Sequence, residues 1–194
     1  MRVLVACEYS GTVRDAFIRA GHYAASCDLL PSESLLGDHF TGDVLDVLGD
    51  GWDLMIAHPP CTHLAVSGAA WFAKKRESGV QQEALAFVQA LMDAPIPRIC
   101  VENPVSIISS HIRKPDQTVQ PWMFGHMEQK ATCLWLKNLP LLAPTHNVRE
   151  QMMQLPKNQR ERLHYLPPSK DRWKIRSKTY QGIADAMAQQ WSNL

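Results

Sequence analysis

The chain lacks any apolar run approaching the roughly 18 residues a membrane span needs, and its opening, MRVLVACEYSGTVRD, turns polar too early for a secretory signal. A cytoplasmic protein with no membrane partner is the expectation. Cysteine is sparse, five residues at positions 7, 27, 61, 100 and 133, odd in number and without CxxC spacing. That pattern excludes a disulfide framework and offers no structural zinc, so no metal is expected. Charge of one sign is not in excess either. The net charge is +1, with 20% charged and 45% hydrophobic residues, which excludes a disordered chain. No internal repeat or low-complexity tract is present.

What is present fits one domain: 194 residues are enough to bury a full core. Neutrality overall hides an asymmetry. Residues 149 to 178 carry nine Lys or Arg against three acids, leaving +6 there and −5 elsewhere. Such a segment suits a polyanion partner, or else forms a solvated face.

Hydrophobic periodicity orders the elements. RVLVAC reads as a strand, SGTVRDAFIRAG as a helix with Val13, Phe17 and Ala20 at helical spacing, and HYAASCD as a second strand ending in Asp28. Strand, glycine-containing turn, helix and strand ending in an acid make the start of a Rossmann-like half, with the acid placed for ribose hydroxyls. DLMIAH is a further buried strand, and QQEALAFVQALMDA an amphipathic helix with Leu85, Val88 and Met92 on one face. PRICVENP is another strand. The alternation predicts a mostly parallel sheet covered by helices on both faces, with ligands at the carboxyl ends of the strands. Beyond residue 110 the sequence is loop-rich, with a strand at ATCLWL, a short basic helix over 150 to 164, and a closing helix whose Ile183, Ala184, Met187 and Trp191 form an apolar stripe.

Three polar clusters stand at strand ends: Glu8 with Ser10 and Gly11, then Cys61, then Glu102 with Asn103. The other four cysteines lie in or beside strand-like runs, where reduced cysteine serves as a small buried hydrophobe. Cys61 instead follows Pro59 and Pro60, which fix their own φ and hold the thiol on a rigid loop suited to a nucleophile. His58 and His63 flank it, so a Cys–His hydrolase is one option, although nothing else in the chain completes it. A Glu at the end of a buried strand is a general acid or hydrogen-bond donor if burial raises its pKa.

The series VACEYSGTVRDAFIRAG, CDLLPS, GDV, HPPCTHLAVSG, VENP and RSKTYQGIADAMAQQW resembles, in order, the motifs of DNA cytosine-C5 methyltransferases. The resemblance spans roughly residues 3 to 138 and 172 to 191. It implies a Rossmann-like methyltransferase fold of the α/β class and methyl transfer from S-adenosylmethionine to C5 of cytosine in DNA. Cys61 then adds to C6, Glu102 protonates or hydrogen-bonds N3, and Asn103 orders the Cys61 loop. It also implies a cofactor site of Glu8, Tyr9, Ser10 and Gly11 at the methionine part, Asp28 at the ribose, Asp43 near the adenine amino group, and Pro59.

The departures from the family's pattern are specific. One glycine, Gly11, remains of the glycine-rich first loop; Thr62 follows Cys61 in place of glutamine; Pro104 follows Glu-Asn; and Gln129, Lys130 and Thr132 stand where the family has an arginine-bearing strand. The recognition domain is reduced to a short basic insertion, residues 138 to 172, in which Arg149, Lys157, Arg160, Arg162, Lys170 and Arg172 are candidates for phosphate contacts. So little chain implies low sequence specificity, or reliance on a specificity partner or a homodimer, as in compact relatives carried by phages and prophages. Two alternatives stay open: an enzyme using another one-carbon donor or a pyrimidine nucleotide, and a catalytically silent DNA- or partner-binding homologue.

Overall fold

The computed structural model describes residues 1 to 192 and residue 194. Among them, strands form where β-branched and small apolar residues run together. They are β1 (Arg2–Ala6), β2 (Tyr23–Asp28), β3 (Asp38–Thr41), β4 (Leu54–Ala57), β5 (Arg98–Pro104), β6 (Gln117–Val119) and β7 (Thr132–Lys137). They join one sheet in the order β3-β2-β1-β4-β5-β7-β6. The first five are parallel, and β7 runs antiparallel to both β5 and β6. The fold is therefore the expected Rossmann-like α/β sheet, with the order of strand addition reversing at β1/β4, where such sheets open a crevice.

Helices cover both faces. One face takes α1 (Thr12–Arg19) and α9 (Gln181–Trp191), packing Val13, Phe17, Ile183, Ala184, Met187 and Trp191 against Val3, Val5, Leu54 and Ile56. The other takes α3 (Val80–Met92), which follows the short α2 (Phe72–Glu77) and precedes β5 and the single turn α4 (Ile108–His111), with Val88 and Leu91 against Leu4, Met55, Ile99 and Val101. All four residues of β4 are buried, because a central parallel strand has no solvent face. The closing helix and its stripe are as the sequence predicts. Leu85, Val88 and Met92 of α3 all pack on the core, Val88 alone being fully enclosed.

Some expectations change. Ala20 is exposed as the C-cap of α1, and the helix instead turns Arg14 inward, fully buried. Its guanidinium donates to Ser26 and Ser32 hydroxyls and to the Ser34 and Asp38 carbonyls, which fixes the loop between β2 and β3. The predicted basic helix over 150 to 164 is three short turns, α5 (Arg149–Met153), α6 (Lys157–Arg160) and α7 (Arg162–Tyr165). Pro156 lacks the N–H a continuous helix would need and stops the first of them. Short edge strands β3 and β6 arise in sequence that reads as loop.

Candidate active site

The strand register builds the site. Ala6 pairs with Cys27 and with Ala57, and Ala57 pairs with Val101. The next residue on each chain, Cys7, Asp28, His58 and Glu102, therefore forms a row across the carboxyl edge of the sheet.

Asp28 and Asp43 are brought together. Both line a cleft of about 200 Å³ whose other walls include Cys7, Leu29, Val44, Pro60 and Phe87. Asp43 also caps a single 3-10 turn by accepting from the Leu45 N–H at 3.0 Å. Burial, with the charges of Asp28 and Asp43, pushes the Cys27 thiol in this cleft up to about 11, and burial pushes Cys7 higher still. Cys27 is a wall residue at the end of β2, and Cys7 the wall residue in the turn that follows β1. Phe87 is a wall residue that the helical periodicity of α3 alone did not single out.

Glu8, Tyr9, Ser10 and Gly11 lie at the adjoining first turn and are committed to the protein. Glu8 is buried, and its carboxylate accepts from the Val13 and Arg14 N–H groups at 2.7 and 3.1 Å and from the Ser10 hydroxyl at 3.2 Å. It thereby caps α1, satisfying donors that would otherwise be orphaned. Tyr9 donates to the Lys174 carbonyl at 3.0 Å and lies 5.9 Å from the Trp173 ring, pinning α8 (Arg172–Ser177) over the turn. Gly11 has φ +74°, and a Cβ there would lie 2.7 Å from Arg14 Nη2 and from Ser34 Cβ. This is the one position of the loop where glycine is obligatory.

Cys61 is the exposed member of the five thiols; Cys7 is partly covered, and Cys27, Cys100 and Cys133 are buried. Its loop is stitched to the exit of β5: Asn103 Nδ2 donates to the Pro59 carbonyl at 2.8 Å, Val66 N–H to the Val105 carbonyl at 3.1 Å, and Ile107 N–H to the Leu64 carbonyl at 3.1 Å. Asn103 is 1% exposed and its Oδ1 is enclosed without a partner among the described residues. Pro59 is buried and acts through this carbonyl, while Pro60, the residue before the thiol, forms part of the cleft wall. Burial, then the Glu102 charge, push the Cys61 thiol above its ordinary value; Lys130, Arg176 and a backbone hydrogen bond pull it back.

His58 pairs with Glu102, not with Cys61: Nδ1 and Oε2 are 3.0 Å apart, with the side chains 9% and 12% exposed. The expected rise of the Glu102 pKa does not occur. Burial pushes the carboxyl up, but the hydrogen bond and charge of His58, together with Lys130, outweigh it and hold Glu102 below the ordinary carboxylate range. Lys130 stands just before β7, whose Thr132 pairs with Pro104, so the register carries it to the Glu102 end of β5. Its ammonium donates to the Arg176 carbonyl at 3.0 Å. Lys130 was visible only as the remnant of the arginine-bearing strand, and Arg176 only as one of many basic residues.

The basic insertion divides into free and engaged cations. Arg162 pairs with Glu128 at 3.0 Å, Arg160 donates to the Met153 carbonyl at 3.5 Å, Arg172 donates to the His164 carbonyl at 3.2 Å, and Arg149 lies 5.8 Å from the Trp122 ring centre. Lys157 and Lys170 are exposed. Among the described residues, no group of three or more His, Cys, Asp or Glu is placed to hold a metal, and no helix is long and apolar enough to cross a membrane.

No protein-family model matches the chain, and no curated protein does. Among solved structures, a prophage-encoded protein of E. coli, provisionally described as a DNA modification methyltransferase, aligns with 15% identity and a TM-score of 0.49. The alignment covers 81% of this chain and 56% of that one, so the chain spans little more than half of that protein's length.

Proposed function

We propose that this protein transfers a methyl group from S-adenosylmethionine to C5 of cytosine in DNA through a transient covalent adduct of Cys61 at C6. The observation that carries the reading is the juxtaposition at the sheet's carboxyl edge. An exposed thiol on a proline-braced loop is tied through Asn103 to the strand bearing Glu102, and abuts through Pro60 a cleft holding two carboxylates.

The cleft fits the adenosine end of the cofactor by the chemistry of its walls. Asp28 and Asp43 offer acceptors to ribose hydroxyls and an adenine amino group, while Leu29, Val44 and Phe87 offer apolar contact to a flat base. When bound, S-adenosylmethionine supplies an electrophilic methyl on a sulfonium.

The chain's own residues make C5 able to accept that methyl. Cys61 Sγ forms a bond to C6, and the C5=C6 electron pair is drawn toward N3 as Glu102 hands N3 a proton. C5 thereby acquires enamine character. Loss of the C5 proton to solvent and departure of Sγ as the thiolate, with return of the N3 proton to Glu102, restore the aromatic ring. Lys130 and Arg176 offset the Glu102 charge that otherwise opposes thiolate formation at Cys61. A base must leave the duplex stack to meet both groups at once. Expression of the wild type and C61A in cells lacking other cytosine methylases, with nucleoside mass spectrometry of their DNA, tests the reading. The C5 mark is expected with the wild type alone.

One observation favours a second reading, an enzyme with the same Cys and Glu logic but a different one-carbon donor. Glu8 fills the α1 N-terminus that a glycine-rich loop would leave open for a ligand. Calorimetric titration separates the two: binding of S-adenosylmethionine that D28A weakens supports the first, and no binding supports the second.

A further inference from the structure

His58 sits where the row across the sheet edge passes from the cleft to the catalytic carboxylate. Its backbone N–H donates to the Ala6 carbonyl at 2.9 Å, locking the ring's position to β1. Its ring is almost enclosed. One edge, Nδ1, faces Glu102 Oε2 at 3.0 Å; the other, Nε2, is buried and has no partner among the described residues.

We propose that His58 and Glu102 form a dyad in which His58 supplies the proton that Glu102 passes to the pyrimidine; the proposal rests on the methyl-transfer reading above. The argument starts from what the carboxylate must do. To assist thiol addition at C6, Glu102 has to reach N3 with a proton on it, yet its surroundings favour the anion: His58 donates to it and Lys130 adds positive charge. An ionised Glu102 accepts hydrogen bonds and donates none. One further proton must therefore enter the pair before addition, and His58 is the hydrogen-bonded neighbour positioned to carry it.

The transfer balances simply. The Nδ1–H bond of the imidazolium breaks as an O–H bond forms at Oε2; the ring is left neutral, with its remaining proton on Nε2. That O–H then breaks as N3–H forms on the base. When Cys61 departs, the proton returns from N3 to Glu102 and the dyad is restored. Two groups this close titrate as a unit, and the active form is the dyad holding its extra proton.

The remaining titratable and charged groups of this corner are Cys61 on the loop that follows His58, Lys130 from the segment before β7, and Arg176 from α8. Cys61 needs to lose a proton, so its contribution makes the rate rise with pH. The dyad needs to keep one, so its contribution makes the rate fall with pH. Their product is a bell.

Asn at position 58 retains an N–H near Nδ1 but does not titrate. The test is the pH profile of kcat and of kcat/KM for DNA methylation in the wild type, H58N and H58Q, with DNA affinity and thermal melting measured alongside. For H58N, kcat is expected to fall by roughly 100-fold, with DNA affinity unchanged and the falling limb displaced from its wild-type position, because the group that carries the extra proton is gone and Glu102 loses its hydrogen-bond partner. H58Q is expected to behave in the same way and serves if H58N does not fold. A folded variant whose falling limb coincides with that of the wild type overturns the assignment, as does a kcat within about twofold of wild type. If the wild type makes no C5-methylated cytosine, the methyl-transfer reading fails and takes the dyad's role with it; an active wild type with an unmoved limb removes the dyad alone.

Discussion

At the scale of single residues, the chemistry is decided by exposure and by what each side chain already holds. Cys61 is the exposed member of the five thiols, so limited alkylation with iodoacetamide is expected to label it first, and faster as pH rises because its thiol is held above its ordinary value. Peptide mass spectrometry checks the site, and predominant labelling of another cysteine contradicts it. Asn103 spends its amide on the Pro59 carbonyl. An Asn103→Ala substitution is expected to cost about 1 to 3 kcal/mol of stability by leaving that buried carbonyl unpaired, and to lower kcat more than it raises KM. Gly11→Ala forces a Cβ into Arg14 and Ser34 at positive φ; a loss of roughly 1 to 3 kcal/mol is expected in urea denaturation. The sequence made Cys61, Glu102 and Asn103 legible because strand ends and prolines are local signals. It could not reveal the His58–Glu102 pair, which joins residues 44 apart through a strand register. Nor could it show that Glu8 is consumed in capping α1, since that depends on how the first turn closes.

At the scale of elements, sequence and structure agree best where burial is strongest. β1, β4, β5 and α9 declare themselves through apolar runs and helical stripes, whereas β3, with the sequence DHFT, has too little apolar character to be read as a strand. The basic insertion is the case where composition misleads. Its charge count is correct, but Arg162 is neutralised by Glu128, and Arg160 and Arg172 hold carbonyls of their own segment. Alanine at the exposed Lys157 or Lys170 is accordingly expected to lower the slope of log affinity for DNA against log salt by about one each if each meets a phosphate. Alanine at Arg162 is expected to destabilise α7 without that change of slope. Filter-binding across a salt series separates the two outcomes. Docking of α9 depends on Gly182, where a Cβ would collide with the Phe124 carbonyl oxygen. Gly182→Ala should therefore lower the melting temperature despite alanine's better helix propensity.

At the scale of the whole molecule, the sheet gathers onto one edge what the chain scatters from Cys7 to Arg176. Two of its carboxyls carry a stability consequence. Burial opposes ionisation of Asp116, but the Leu136 N–H and Arg113 outweigh it, and Glu102 is likewise held below its ordinary value by His58 and Lys130. A carboxyl with a depressed folded-state pKa stabilises the fold above its unfolded value and loses that contribution as pH falls. Stability should therefore drop below roughly pH 4, the unfolded carboxylate range, and Asp116→Asn should flatten that drop in melts taken from pH 7 to pH 3. The central claim concerns the edge itself, that Cys61 and Glu102 together activate a cytosine in DNA. Nucleoside mass spectrometry of DNA from cells expressing wild type, C61A and E102Q tests it most directly. The predicted result is 5-methylcytosine with the wild type, none with C61A and strongly reduced levels with E102Q; no C5 mark from the wild type, or the same mark from C61A, would contradict it.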